Sequence, residues 1–153
     1  MKHLILPLLL ICASYLHSSA QSENPKYDKA LADSLGADKY GMKMYYLVIL
    51  KTGSNQVTDK EKMTELFKGH MDNINKLVKD GKMVIAGPLG KNDKQYRGIF
   101  VLNAKTKEEV DVMLQGDAAI KEKVFDVEIF PWYGSAALPK YLEFHEKVEQ
   151  TKP

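Results

Sequence analysis

Two side chains in this sequence have the chemistry and the setting to move a proton, His70 and Asp117. Met63 and Phe67 stand seven and three residues before His70, and Ile74 and Leu77 four and seven after it. On a helix those positions share one apolar stripe, so the imidazole projects with the stripe toward whatever the helix packs on. A histidine placed this way has two readings. It is a core residue satisfied by a backbone carbonyl, or it is a general acid or base in a pocket, where burial and a neighbouring carboxylate tune imidazole chemistry near neutral pH. Asp72 and Asp80 point away from the stripe. Asp117 is the better partner, because Gly116-Asp117 ends a second helix where the chain turns toward the last strand. It also has a plain role open to it, as N-cap of a short helical turn over Ala118-Ala119-Ile120.

Around this pair, Tyr46 and Arg97 are candidates to line a pocket and hold an anionic or phenolic ligand, with Arg97 alternatively a surface charge near a turn. Gly87-Pro88 and Gly90 read as a turn, in which glycine allows positive φ and proline fixes the entry. The same residues leave room for a ligand to approach the backbone. His145 lies in a charged tail and reads as solvated. The sequence holds no phosphate loop, dinucleotide glycine pattern, HExxH or nucleophile elbow, and the two histidines outside the first twenty residues, His70 and His145, are isolated and do not make a zinc site. Hydride transfer and metal hydrolysis are therefore unsupported, and the expected chemistry needs no cofactor and no metal.

The elements that must carry these residues can be read in order. A polar leader holds a short helix, Tyr27 to Leu35, ended by Gly36. Met44 to Leu50 is a continuous apolar run rich in aromatic and β-branched residues, which reads as a buried strand. Thr58 with Glu61 forms a capping box that opens a long helix, and Gly81 ends it. Met83 to Ala86 and Tyr96 to Leu102 are two further strands joined through Gly90-Lys91-Asn92-Asp93. Thr106 with Glu109 repeats the capping box, Gly116 stops that helix, and a last strand runs from Val124 to Phe130, finished by Pro131-Trp132. The order β-α-β-β-α-β is the ferredoxin-like arrangement of an α+β fold: a four-stranded sheet with two helices on one face, first and third strands central.

Two helices cover one face of such a sheet, yet the central strands are apolar on both. A second copy packed sheet to sheet covers the other face at least cost, so a homodimer is expected. The alternative is that the leader and the tail, Tyr141 to Val148, fold across it within one chain.

The ends and the composition set the remaining bounds. Residues 1–20 read as a secretory signal: Lys2 and His3, an apolar run from Leu4 to Ala13, then Ser18-Ser19-Ala20 before Gln21. The run is far too short to span a bilayer, so no stable membrane span is expected after cleavage near Ala20 and Gln21, and the product is periplasmic or secreted. The one cysteine, Cys12, lies inside this segment. Ile11 makes a poor neighbour for lipoprotein processing, and cleavage removes disulfides, thiolate catalysis and cysteine-ligated metals together. With 22 Lys+Arg against 20 Asp+Glu, signs mixed along the chain, there is no nucleic-acid footprint. The organisation is a leader over residues 21–42, one domain over 43–133 and a partly helical extension over 134–153.

The domain also resembles the YCII-related family. The matching stretches are Tyr45-Tyr46-Leu47-Val48-Ile49-Leu50, His70-Met71-Asp72-Asn73-Ile74-Asn75-Lys76-Leu77 and Asp80-Gly81-Lys82-Met83-Val84-Ile85-Ala86-Gly87-Pro88. Then come Arg97-Gly98-Ile99-Phe100, Gly116-Asp117 and Glu128-Ile129-Phe130-Pro131-Trp132. The resemblance implies a ferredoxin-like domain that pairs into a dimeric α+β barrel, with His70 and Asp117 as the active-site pair. The family usually has proline directly after that aspartate, where this chain has Ala118. The expected function is an acid-base enzyme of lyase or isomerase type on a small cyclic or aromatic compound, in which His70 moves a proton and Asp117 orients it; the alternative is a non-catalytic binding or sensing module in the same cavity. The wider superfamily hosts several chemistries, so the fold does not select the reaction.

Overall fold

A computed structural model describes residues 24–151. The segment read as a signal, residues 1–20, lies outside them. The elements are α1 (Lys29–Leu35), β1 (Met42–Thr52), α2 (Lys60–Lys79), β2 (Met83–Pro88), β3 (Tyr96–Leu102), α3 (Lys107–Gln115), α4 (Ala118–Lys121), β4 (Phe125–Ser135), a 3-10 turn (Leu138–Tyr141) and α5 (Leu142–Val148). The strands form one antiparallel sheet in the order β2-β3-β1-β4, so β1 and β3 are central and the α+β, ferredoxin-like reading holds.

Local chemistry sets the helix ends, with two departures from the expected pattern. Asp59, not Thr58, caps α2, its Oδ1 accepting the Glu61 and Lys62 N–H groups at 2.9 and 3.1 Å. A carboxylate there also meets the positive end of the helix dipole, which threonine cannot match. Thr106 does cap α3, but Glu109 reaches past it to the Lys105 N–H at 3.0 Å. At the other end of α2, Gly81 takes φ 66° while Gly81 and Lys82 N–H bond Val78 and Leu77 carbonyls, a Schellman ending.

Two strand expectations are corrected. Pro131-Trp132 do not finish β4, which pairs with β1 as far as Met42↔Ser135. Pro131 lies opposite Tyr46 on an edge strand, where a missing N–H on the outer side costs no ladder bond. Gly87 and Pro88 are strand residues of β2 paired with Ile99 and Gly98, not a turn. The turn falls after them and is organised by Asn92, whose amide donates to the Gly90 and Tyr96 carbonyls while its oxygen accepts from the Lys94 and Tyr96 N–H groups. The positive φ there belongs to Gln95, at 56°.

Alternation along the strands sorts the core into two layers. Toward α2 and α3 lie Val48, Leu50, Phe100, Leu102 and Met83, packed with Leu66, Leu77, Val110 and Leu114. On the opposite face Tyr45, Val84 and Val101 are buried against Trp132 and Leu138, and the Tyr141 hydroxyl donates to the Val84 carbonyl. The C-terminal segment thus covers one end of the back face within the same chain. Leu47, Ile49 and Ile99 remain half-buried on that face, and Phe130 is 45% exposed. The leader helix α1 buries none of its residues and is tied in at its end, where Asp38 accepts from the Tyr40 and Met42 N–H groups and the Tyr133 hydroxyl.

Candidate active site

The buried face of α2 presents Leu66, His70, Asn73 and Leu77, so the imidazole occupies the position of a core residue midway along the helix. Opposite it, α3 ends and α4 begins at Asp117, a side chain with no solvent exposure. His70 Nδ1 lies 2.6 Å from Asp117 Oδ2. The other oxygen, Oδ1, accepts the Ala119 and Ile120 N–H groups at 3.0 and 3.2 Å. The two roles open to Asp117 therefore coexist, one oxygen capping α4 and the other meeting the ring.

This bonding assigns the ring. A carboxylate already accepting two backbone protons acts as an acceptor toward the imidazole too, so Nδ1–H donates to Oδ2 and the basic lone pair falls on Nε2. Among the described residues Nε2 has no hydrogen-bond partner, and no side-chain nitrogen or oxygen sealed from solvent goes unpaired. Nε2 therefore meets solvent through the narrow opening that leaves His70 8% exposed. The walls are aromatic. Phe125, Phe100 and Phe67 have ring centroids 5.3, 5.9 and 6.1 Å from the imidazole, and Phe67 and Phe125 meet edge to face. Phe67 is 42% exposed and forms the outer lip.

The remaining candidates divide. Tyr46 joins the apolar cluster that includes Phe100 and Phe125. Arg97 is exposed and its Nε donates to Thr52 Oγ1 at 2.8 Å, while Gly87 and Pro88 belong to the outer strand β2. Among the described residues none of these three shares a hydrogen bond or ring contact with His70 or Asp117. His145 is exposed on α5. Asp72 and Asp80 are engaged in surface pairs with Lys68 and Lys76. The aromatic walls escaped the sequence reading, although Phe67 stood one turn before His70 and Phe100 and Phe125 lay in recognised strands. What sequence spacing lacked was the register that brings all three rings to one imidazole.

A groove of about 890 Å³ runs between α2 and α3, lined by Gly69, Asn73, Lys76, Leu77, Met113 and Gly116 among others. Neither His70 nor Asp117 lines it, although Gly69 and Gly116 directly precede them.

Residues 44–133 match the YCII-related domain, which spans every strand and both helices of the pair. The chain belongs to the YCII-related family. Seven chains of solved structures match as well. One is 5-chloro-2-hydroxyhydroquinone dehydrochlorinase from Burkholderia phenoliruptrix AC1100 in complex with 2,5-dihydroxybenzoquinone, at 18% identity and a TM-score of 0.41, over 57% of this chain and 92% of that one. No curated protein matches. Within the YCII domain, Ala118 is the first residue of α4 and Asp117 caps that turn.

Proposed function

We propose that this YCII-family protein is a cofactor-independent acid-base enzyme of lyase or isomerase type acting on a small cyclic or aromatic compound. His70 transfers the proton through Nε2, and Asp117 fixes the ring's tautomer and balances the charge that forms on it. One observation supports this reading: a hydrogen-bonded imidazole set among phenyl rings, whose second nitrogen has no partner among the described residues. Phe67, the exposed ring of the three, offers a planar substrate stacking or edge contact beside the base. The other pocket candidates do not converge, Tyr46 lying toward one end of β3 and Arg97 with the Gly87-Pro88 strand end toward the other, and they carry no assigned role in this reading.

The same walls support a second reading, a non-catalytic module that binds or senses a planar ligand. A thermal-shift panel of small phenols, quinones and cyclic carboxylates, followed by product analysis, separates the two. The enzyme reading expects a stabilising compound to be turned over by the wild type and not by His70→Ala. Binding with no turnover by either assigns the module.

The protein is further read as exported, on the basic start, apolar run and small-residue exit of residues 1–20. It is also read as a homodimer, in which a second copy covers Leu47, Ile49, Ile99 and Phe130 on the part of the back face that the C-terminal segment leaves open.

A further inference from the structure

We infer that Asn73 is a positioning residue, which together with Gly69, Gly116 and Ala118 sets the separation of His70 and Asp117. The proposal rests on the reading of that pair as the working unit of the site. The two side chains come from different helices, so their 2.6 Å bond depends on how closely α2 approaches the α3–α4 junction. Two tight contacts fix that approach, one on each side of His70 along α2.

On one side, Gly69 faces Ala118. A Cβ at position 69 would stand 2.7 Å from the Ala118 Cβ, so the pair of small residues permits a distance that a larger residue forbids. On the other side, Asn73 is 8% exposed and donates through Nδ2 to the Met113 carbonyl at 3.2 Å, in the last turn of α3. Its Oδ1 would lie 2.6 Å from a Cβ on Gly116. Gly116 ends α3 as its C-cap with φ −72°, a conformation open to any residue, so what a side chain there would meet first is the Asn73 amide.

A buried asparagine on an apolar helix face is costly unless its hydrogen bond is made, and here that bond anchors the segment from which Asp117 emerges four residues later. A leucine at position 73 would fill the space and seal it with hydrocarbon, but it would leave the Met113 carbonyl without this donor and α3 free to shift. Since hydrogen bonds weaken steeply with length and misalignment, a small displacement of the junction is enough to release the ring.

The test is a proton NMR measurement on the isotope-labelled full chain, following the His70 Nδ1–H resonance, assigned by its disappearance in Asp117→Ala. The expected result is a slowly exchanging downfield resonance in the wild type that is lost in Gly116→Ala and in Asn73→Leu. It stays lost in the double variant Asn73→Ala with Gly116→Ala, which relieves the crowding at position 116 but leaves the Met113 carbonyl without this donor. If Gly116→Ala does not fold, Asn73→Leu carries the test alone. A resonance unmoved in folded Asn73→Leu overturns the positioning role and leaves the pair intact. Absence of the resonance in the wild type overturns the pair itself, and with it the proposed function.

Discussion

At the scale of single residues, Asp117 is a doubly committed side chain. It has no exposure, caps α4 with one oxygen and pairs with His70 through the other. Removing it exposes both debts, so Asp117→Ala is expected to destabilise by about 2 to 4 kcal/mol, combining a lost cap with an unpaired buried imidazole. Asp117→Asn keeps the cap oxygen and is expected to cost about half as much. Urea titrations of the two variants measure the split. The sequence disclosed both partners because histidine on an apolar stripe and aspartate at a helix junction each stand out against their surroundings. It did not disclose the space between them. Asn73 carries no distinguishing signal in the sequence, and the importance of Gly69 and Gly116 depends on which atoms face them, which spacing along the chain does not encode.

At the scale of elements, two junctions hold the scaffold in register. Gly53 follows β1 at the point where its N–H bonds the Val124 carbonyl at 2.8 Å, and a Cβ there would lie 2.0 Å from the Lys123 carbonyl oxygen. Backbone on both sides leaves nothing flexible to give way. Gly53→Ala is therefore expected to cost about 2 to 3 kcal/mol, measurable as a lowered melting temperature. The second junction ties the leader to β4. The bond to Asp38 pushes the Tyr133 hydroxyl from an ordinary value of 10.0 up to about 12, and holds the Asp38 carboxyl below its usual range. For the tyrosine the folded form keeps its proton more tightly, so its contribution is complete below pH 10 and disappears as pH rises toward 12. For the aspartate the contribution is present above the ordinary carboxylate range and fades in acid. Thermal melts of wild type and Tyr133→Phe are expected to converge at both extremes of pH and to differ between them. A constant gap across the range would contradict this. The order of elements was readable from periodicity and capping residues throughout. The exact caps and strand ends were not, because Asp59 beside Thr58 offers two rival caps, and an edge strand tolerates the proline that reads as a stop.

At the scale of the whole molecule, patterning required a cover for the second face of the sheet, and the chain supplies part of it. Leu138 and Tyr141 close one end over Tyr45, Val84 and Val101. The sequence offers the tail, Tyr141 to Val148, as the alternative cover, and the contact falls at its start, on Leu138 and Tyr141. The remaining strip runs through Leu47, Ile49 and Ile99 to Phe130, with the Lys51–Glu128 pair at 2.7 Å at its border. A stable two-fold interface there needs roughly 800 Å² from each copy. Light scattering is expected to give twice the chain mass for wild type and the chain mass for Leu47→Lys. A wild-type monomer at every concentration would remove the second copy from the account.

The central claim is that the His70 imidazole is paired on one side and open on the other. Carbethoxylation by diethyl pyrocarbonate, located by mass spectrometry on the folded protein, tests it directly, because the reagent takes an unprotonated, accessible ring nitrogen. His70 is predicted to be modified under native conditions, more slowly than exposed His145, with protection by any compound the protein turns over. His70 untouched in the folded protein while His145 reacts to completion would show a sealed ring and contradict the account.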